Sequence, residues 1–261
     1  MDHERPAPRS DPSTFRAMAW PRAVPGVGID LADRQRFAIV HRILAAEGWQ
    51  ENLSGHITWD RGDGTLWCTA WGRWWEEMRA SDVMTVGADG QVLEGPWDVS
   101  PAVRIHTELH RARPDATVVV HGHPYAATVL ACLGVTPVIS HQNSCIFDGE
   151  LVTVDEYAGT VEDESAGAQL AARIGAASGI QLAHHGAIVT APSLEEAAYK
   201  AVTYERMCRF TLDGLRADRR LIELPRAGRA ALKGELRRNA PDGYWDGAAR
   251  AVLRDSPDVL D

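Results

Sequence analysis

The sequence predicts one α/β domain of layered type, and three observations support this prediction. The chain has 261 residues, the length of one large domain or two small ones. Helical and strand-like segments follow one another in the order helix, strands, helix, strand, helix, strands, helix, which is typical of layered α/β proteins. The strands are short and several are joined by hairpin-type turns, a pattern that favours antiparallel pairing over a parallel sheet.

The composition is that of a globular protein with an excess of acidic residues. Hydrophobic residues make up 45% of the chain and charged residues 24%, so the chain can bury a substantial core. The net charge of −9 argues against general binding to nucleic acid or to an anionic membrane, because both need a cationic surface. No apolar run approaches the roughly 20 residues of a membrane helix. We therefore expect a cytoplasmic protein without a nucleic-acid or membrane partner.

Apolar periodicity and turn residues predict the elements of the first half of the chain. Residues 1–28 are rich in Pro, Arg and Ser and are expected to form a flexible arm. A helix is predicted from Asp30 to Gly48, because apolar side chains recur on one face and a glycine follows them. Short strands separated by turn residues are predicted at 56–59, 65–69, 83–86 and 91–93.

The second half begins with a helix that Ser100 and Pro101 are predicted to open, because Ser can cap a helix and Pro fits its first turn. This helix is expected to run to about Arg111. The later elements are a strand at 116–120, a helix at 124–134, mixed strand and loop at 135–160, a helix at 164–177, a strand pair at 181–190 and a long helix at 193–212. The charged tail, 219–261, is predicted to be helical in pieces.

Two histidines at the end of a buried strand are candidates for metal ligands. His121 and His123 stand two residues apart, and since a strand has a period of two, their side chains point to the same face. They lie where the strand emerges, which is the usual place for ligand sites in α/β proteins. Two converging imidazoles make half a site for a divalent metal. The alternative is a pair of unrelated surface histidines.

Two further groups of histidines compete for the remaining ligand position. His184 and His185 are adjacent, so only one of them can face the same way as the first pair. Gly186 is expected to allow a backbone conformation that a side chain would resist. His106 and His110 form an i, i+4 pair, a spacing that also binds metal. We instead expect His110 to be a surface residue and His106 to be buried and hydrogen-bonded.

Taken together, these residues resemble the class II aldolase/adducin family. The matching motifs are Glu51-Asn52-Leu53-Ser54-Gly55-His56-Ile57-Thr58, Gly72, Ser81-Asp82, Ile105-His106, residues 113–124 around His121-Gly122-His123, His185-Gly186-Ala187-Ile188 and Glu195-Glu196-Ala197. The resemblance covers roughly residues 31–212. It implies a three-layer α/β/α sandwich with a mainly antiparallel central sheet, with 29–218 as the catalytic domain. It also implies a homotetramer with its sites at subunit boundaries.

The same resemblance implies which histidines hold the metal. Carried over to this chain, the ligands are His121, His123 and His185. Three histidine ligands leave coordination positions open for substrate oxygens, as a catalytic metal requires. We expect one divalent ion per subunit; Zn, Mn and Fe are all compatible with imidazole ligands.

At one position the sequence departs from the sugar-phosphate aldolases that it resembles. Those enzymes carry a Ser-Ser-Glu run at the start of the helix that follows Ser100, and its glutamate is their general acid/base. Here that position is Ala102, which cannot move a proton. Decarboxylation needs no base to abstract a C–H proton, since its carbanion forms when carbon dioxide leaves. The sequence therefore favours the branch of the family that decarboxylates aromatic hydroxy-acids, on an anionic small-molecule substrate.

Six residues are candidates for contacts with such a substrate. Ser54, Gly55 and His56 match the loop that cradles phosphate in the aldolases, and His56 could bind a carboxylate or supply the proton. Arg104 could clamp a carboxylate with a bidentate fork, and Ser100 lies at a helix N-terminus, which favours an anion. Trp71 could stack on an aromatic ring. Structural roles are the alternatives: an ion pair for Arg104, core placement for His56, and core or subunit packing for Trp71.

Other functions stay open at this point. An aldolase that acts on a small hydroxy-carbonyl or sugar-phosphate substrate through another base is the first alternative. A mononuclear non-heme iron oxygenase is the second, because three histidines can hold Fe(II). A scaffold without catalytic activity is the third, and the three predicted metal ligands argue against it.

Overall fold

The computed structural model describes residues 30–156 and 164–261, so the predicted arm at 1–28 lies outside the described residues. The α-helices are α1 (Asp33–Ala46), α2 (Val103–Ala112), α3 (Tyr125–Leu133), α4 (Glu164–Ile174), α5 (Leu194–Arg216) and α6 (Arg229–Asp255). The strands are β1 (His56–Asp60), β2 (Thr65–Cys68), β3 (Met84–Gly87), β4 (Val92–Glu94), β5 (Val118–Gly122), β6 (Leu151–Val154), β7 (Gly179–Leu182) and β8 (Gly186–Ala191).

The strands form one eight-stranded sheet in the order β4-β3-β2-β1-β5-β8-β7-β6. The pairing of β6 with β7 is parallel, and the other neighbouring strands pair antiparallel. The sheet is therefore mixed and mostly antiparallel, which confirms the prediction made from the short strands and hairpin turns. β5 lies between β1 and β8, so its histidine end is buried in the middle of the sheet.

Helices cover both faces of this sheet, and the residues of β5 show how. Val118 and Val120 belong to an apolar cluster with α1, α3, α5 and α6. Val119, between them, belongs to a second cluster with α2 and α4. His121 is in phase with Val119, because side chains of a strand alternate between the two faces. The first histidine of the H-x-H motif therefore lies on the α2 side of the sheet.

The start of α2 differs from its prediction. The helix begins at Val103, its N-cap is Ala102, and Ser100 does not cap it. The Oγ atom of Ser100 instead accepts a hydrogen bond from the backbone N–H of Ala102 at 3.3 Å, because residues 101 and 102 form a turn before the helix. The predicted anion-binding role of Ser100 therefore loses the capping geometry on which it rested.

The C-terminal segment consists mostly of one long helix, α6, with Pro241 inside it, and ends in a short 3-10 helix, Pro257–Leu260. Leu236, Trp245 and Ala249 of this helix are buried in the same cluster as α5, so α6 is part of the core. No helix among the described residues combines the length and the apolar character that a membrane crossing needs.

Candidate metal centre

The centre is built where β1, β5 and β8 lie side by side. His56 pairs with His121 across β1 and β5, and His121 pairs with Ile188 across β5 and β8. Gly55 permits the close approach of the first pair: its φ is +97°, and a Cβ atom placed there would lie 2.9 Å from the carbonyl oxygen of His121. Any side chain at position 55 would therefore push β1 away from the histidine end of β5.

Three histidines converge at this end of the sheet. One ring nitrogen from each of His121, His123 and His185 lies within 4.8 Å of the others. The ring centroids are 4.8–5.2 Å apart, close enough for all three imidazoles to reach one ion. In the part of the chain that the structure describes, no carboxylate belongs to this cluster. The structure thus brings together the three residues that the sequence predicted as ligands.

Hydrogen bonds orient two of these rings. Nδ1 of His121 lies 3.1 Å from the carbonyl oxygen of Ala187, and Nδ1 of His123 lies 2.8 Å from Oε2 of Glu51. Both partners only accept, so each Nδ1 donates its proton and each Nε2 keeps a lone pair. Nε2 of His123 is buried and has no hydrogen-bond partner among the described residues. Lone pairs directed into one small space are what a divalent cation needs, so these residues fit a metal.

The turn between β7 and β8 selects His185 as the third member. His184 has a φ of +56° and is exposed. It adopts the left-handed conformation that the turn needs, and His185 faces the cluster. This corrects the expectation for Gly186, which is not among the residues with positive φ. Gly186 is small for a steric reason: a Cβ atom there would lie 2.5 Å from the carbonyl oxygen of Gly122 and 2.6 Å from Cδ2 of His123.

Burial keeps the imidazoles of His121 and His185 neutral at neutral pH. Loss of solvation lowers the pKa of His121 well below its usual value. It also lowers the pKa of His185 to about 4, with a smaller contribution from the neighbouring His123. A neutral imidazole offers a lone pair, and only that form can bind a metal. His121 and His185 are therefore ready to bind a cation over the physiological pH range.

His56 lies next to the cluster and at one end of a buried polar chain. Its ring centroid is 5.2 Å from that of His121, and its Nδ1 lies 2.8 Å from Nε2 of His106. Nδ1 of His106 lies 2.8 Å from Oγ1 of Thr58, which lies 2.7 Å from Nε2 of His110. His106 and His110 therefore belong to this series of hydrogen-bonded side chains, and neither belongs to the metal cluster. The expectation of a surface position for His110 is wrong, because its Nε2 faces Thr58 of the sheet and its Nδ1 is buried.

Two members of this arrangement have roles that the sequence analysis missed. Glu51 holds His123 from the loop before β1, where the backbone N–H of Ser54 bonds the carbonyl oxygen of Glu51 at 2.8 Å. Thr58 bridges two histidines of α2 from the sheet. A signal was present for Thr58, since it stands two residues after His56 and therefore on the same face of the strand. Nothing local linked Glu51 to His123, which is 72 residues away.

The remaining predicted substrate contacts are spread around the centre. Ser54 and Gly55 directly precede His56, and Trp71 is 47% exposed, with its backbone N–H bonded to the carbonyl oxygen of Asp98. The guanidinium of Arg104 lies elsewhere, beside Gly90 in the β3–β4 turn. That turn follows Gly87, which pairs with Thr65 at the end of the sheet away from His56. The structure does not bring Arg104 together with the three histidines.

This fold and this cluster agree with the comparison to known families. Residues 35–212 match the Class II Aldolase and Adducin N-terminal domain, and the chain belongs to this family. It resembles the decarboxylase branch of the family. A 3,4-dihydroxyphthalate decarboxylase from Arthrobacter keyseri is 29% identical over 212 residues, which cover 76% of this chain and 85% of that protein.

Aldolases of the family are also similar to this chain. A 5-methylthioribulose-1-phosphate/5-deoxyribulose-1-phosphate aldolase from Rhodospirillum rubrum is 31% identical over 178 residues, which cover 66% of this chain and 79% of that protein. Among solved structures, an L-fuculose 1-phosphate aldolase from Glaciozyma antarctica PI12 superposes with a TM-score of 0.76. It shares 21% sequence identity, and the match covers 87% of this chain and 91% of that chain. At this identity the likeness supports the fold.

Proposed function

We propose that this protein is a divalent-metal-dependent lyase that removes carbon dioxide from an aromatic or heteroaromatic hydroxy-carboxylic acid. One observation carries the proposal: the described cluster consists of three imidazoles without a carboxylate. The position where the resemblance places the catalytic glutamate of the aldolases is Ala102, the N-cap of α2. The site therefore has a place for a cation but lacks the group through which the aldolases move a proton.

Decarboxylation suits these residues. The electron pair of the breaking C–C bond stays on the ring carbon, carbon dioxide leaves, and a proton later takes its place, so no C–H proton has to be abstracted. A divalent ion bound to His121, His123 and His185 would stabilise negative charge that spreads onto a ring oxygen of the substrate. His56, buried against His121, is the group of this chain placed to hold a proton next to the substrate.

The other predicted contacts belong to the same proposal. Ser54 and Gly55 would line the side of the site next to His56, with Ser100 near the start of α2, and the exposed ring of Trp71 would stack on the substrate ring. The carboxylate clamp by Arg104 stays a prediction. Because Arg104 lies beside Gly90, it would have to bind a substrate in the site of a neighbouring subunit.

Assembly is a separate part of the proposal. We expect a homotetramer with its sites at subunit boundaries, and the exposed rings of Trp71, Trp74 and Trp97 offer apolar surface for such contacts. Light scattering of the purified chain measures its mass directly, and a monomer at working concentration would contradict the expectation. A cytoplasmic location stays a prediction from the sequence.

A second candidate function is an aldolase, and the similarity to the Rhodospirillum rubrum enzyme favours it. The two functions predict different products. The purified protein, loaded in turn with Zn, Mn and Fe(II), is incubated without oxygen with ortho-hydroxy aromatic acids, dihydroxyphthalates among them, and separately with sugar phosphates. We expect release of carbon dioxide from a hydroxy-aromatic acid and no aldehyde from the sugar phosphates.

The opposite result would reject the decarboxylase and support the aldolase. Activity that appears only when oxygen is admitted would instead support an iron oxygenase. His121→Ala serves as the metal-free control, and His184→Asn serves as the matched histidine substitution outside the cluster. Asn tolerates the left-handed backbone at position 184.

A further inference from the structure

The helix that follows the metal centre, α3, has no cap of its own at its N-terminus. It begins at Tyr125, directly after His123 and Pro124, and its N-cap Pro124 makes no side-chain hydrogen bond. The first N–H groups of a helix have no partner inside that helix. Those of Ala126 and Ala127, two fully buried residues, therefore need an acceptor from another part of the chain.

Glu205 of α5 supplies this acceptor. Its Oε1 accepts from the N–H of Ala126 at 3.1 Å, and its Oε2 accepts from the N–H of Ala127 at 3.0 Å. Glu205 is 2% exposed, and a carboxylate can only accept from an N–H group, so the direction of both bonds is fixed. A third bond comes from Nε of Arg209 at 2.9 Å. The carboxylate therefore caps α3 and holds its first turn against α5.

The same face of α5 also holds the chain just before β1. The Nε1–H of Trp49 donates to the carbonyl oxygen of Ala201 at 3.0 Å, and Ala201 lies one helical turn before Glu205. Trp49 in turn packs against the glycine of the H-x-H motif: a Cβ atom at Gly122 would lie 2.8 Å from the carbonyl oxygen of Trp49. Helix α5 is thus the common support of the loop before β1 and of the first turn of α3.

These two segments meet at the metal centre, where Oε2 of Glu51 lies 2.8 Å from Nδ1 of His123. We propose that Glu205 is a positioning residue of this centre. By capping α3, it holds the backbone of His123 at the distance from Glu51 that their contact needs. Glu205 is not a member of the histidine cluster, so it acts on the centre through the chain that joins His123 to α3.

Pro124 makes this link stiff. Its ring fixes its own φ, here at −61°, and a proline also restricts the backbone of the residue before it, which is His123. The backbone between His123 and α3 therefore has little freedom to absorb a shift of the helix. A movement of the first turn of α3 is passed on to the imidazole of His123.

The inference rests on the proposed metal-dependent function, because it concerns the affinity of the centre for its ion. Glu51 and Glu205 act on the same residue, the first on the ring of His123 and the second on its backbone. The bond to Glu51 needs the position that Glu205 sets. The effects of the two carboxylates on metal affinity are therefore coupled and do not add as those of independent sites would.

A double-mutant cycle with Zn alone as the probe tests this coupling. Chelator competition gives the dissociation constant for Zn of the unmodified chain, Glu205→Gln, Glu51→Gln and the double variant. Gln keeps the shape of Glu205 but offers one acceptor where two are needed. We expect Glu205→Gln to raise the constant about tenfold, as outer partners of metal ligands do. In the Glu205→Gln background, Glu51→Gln should then raise it less than about threefold, compared with about 10- to 100-fold on its own.

Glu196→Gln is the matched control, the same substitution at another buried carboxylate of α5. Glu196 pairs with Lys200, whose Nζ donates to the carbonyl oxygen of Thr190 at the end of β8 away from His185. Both variants should lower the urea midpoint, because each loses a buried carboxylate. The absorption spectrum of Co(II)-loaded protein should change in Glu205→Gln, because a displaced imidazole alters the ligand geometry. The spectrum and the Zn affinity should stay unchanged in Glu196→Gln.

Equal Zn affinities of Glu205→Gln and Glu196→Gln would overturn the proposal, and so would an undiminished effect of Glu51→Gln in the Glu205→Gln background. If Glu205→Gln does not fold, Glu205→Asp takes its place in the cycle; it keeps both oxygens on a side chain one methylene shorter, and the same outcomes decide. Absence of Zn binding by the unmodified chain would reject the proposed function together with this inference, whereas the first two outcomes reject this inference alone.

Discussion

Oε2 of Glu51 lies 2.8 Å from Nδ1 of His123, so a carboxylate from the loop before β1 holds the proton of an imidazole that follows β5. The contact fixes the ring so that Nε2 faces the other histidines, and a negative partner makes that nitrogen a stronger electron donor. A carboxylate that does not belong to the ligand cluster therefore still contributes to the metal centre.

Removing the charge of Glu51 should weaken metal binding. We expect Glu51→Gln to raise the dissociation constant for Zn about 10- to 100-fold, because outer partners of histidine ligands contribute that much to metal affinity. Competition with a chromophoric chelator measures it. Glu235→Gln, an exposed position on α6, is the control for the loss of one negative charge. Equal affinities of the two variants would show that Glu51 has no part in the centre.

The three clustered histidines should be required individually for bound metal. His121→Ala, His123→Ala and His185→Ala should each lose most of the metal that elemental analysis finds in the unmodified protein, because two imidazoles hold a divalent ion far more weakly than three. His184→Asn, next to the third ligand and exposed, should keep its metal. Loss in His184→Asn with retention in His185→Ala would shift the ligand set by one residue.

A methyl group at position 186 should disturb the metal centre although none of the three histidines is replaced. In Gly186→Ala the new Cβ would lie 2.6 Å from Cδ2 of His123, so the ring or the strand has to move. We expect a loss of about 1–3 kcal/mol in the free energy of unfolding, the usual cost of overpacking, together with weaker Zn binding.

Gly243→Ala is the control for this glycine. A Cβ atom at that position of α6 meets nothing within 4 Å, and Ala stabilises a helix interior by about 0.5–1 kcal/mol relative to Gly. Chemical denaturation and chelator competition on both variants separate the steric effect from a general effect of glycine replacement. Normal Zn affinity in Gly186→Ala would contradict the prediction.

A carboxylate introduced at Ala102 should inhibit decarboxylation. The resemblance to the aldolases places a metal-facing glutamate at this position, so Ala102→Glu would compete with substrate oxygens for the ion. We expect the rate of carbon dioxide release to fall about tenfold or more, since a charge-assisted contact contributes about 1.5–3 kcal/mol. Ala102 also packs against the apolar cluster under α2, so Ala102→Gln measures the effect of size alone. Equal losses in the two variants would exclude competition by the charge.

Acid should destabilise the fold through buried histidines away from the metal centre. Burial lowers the pKa of His41 from 6.5 to about 4, so between these values the unfolded chain binds a proton that the folded chain excludes. Stability is therefore complete above about pH 6.5 and falls as the pH drops towards 4, by up to about 1.4 kcal/mol per pH unit for one such group.

His41→Gln tests this dependence. Nδ1 of His41 donates to the carbonyl oxygen of Phe37, and Gln can donate there but does not titrate. Urea unfolding between pH 7.5 and pH 4.5, with a chelator present to exclude metal release, should show a shallower pH dependence in the variant. The same slope in both proteins would mean that His41 is not protonated on unfolding in this range.

Much of the fold could be predicted because local patterns determine it. Alternating apolar residues and hairpin turns located most strands, and a capping serine located α5, where the N–H of Glu196 bonds Oγ of Ser193. The predictions were wrong where several local signals competed. Ser100 and Pro101 have the residue types of a helix start, yet the chain makes one more turn before α2 begins at Val103. His110 is partly buried, and not on the surface as expected, because α2 packs on β1 and brings it against Thr58.

The sequence by itself determined that His121 and His123 share one side of a strand, because a strand has a period of two. It left His184 and His185 open as the third member, and only the resemblance to the family favoured His185. Only the tertiary structure decided what surrounds these histidines. Glu51 reaches His123 across 72 residues, and Thr58 meets His106 and His110 only because α2 lies on the sheet. The tautomer of an imidazole depends on its hydrogen-bond partners in space. Sequence spacing identifies candidate ligands, whereas packing determines which nitrogen of each ring carries the proton.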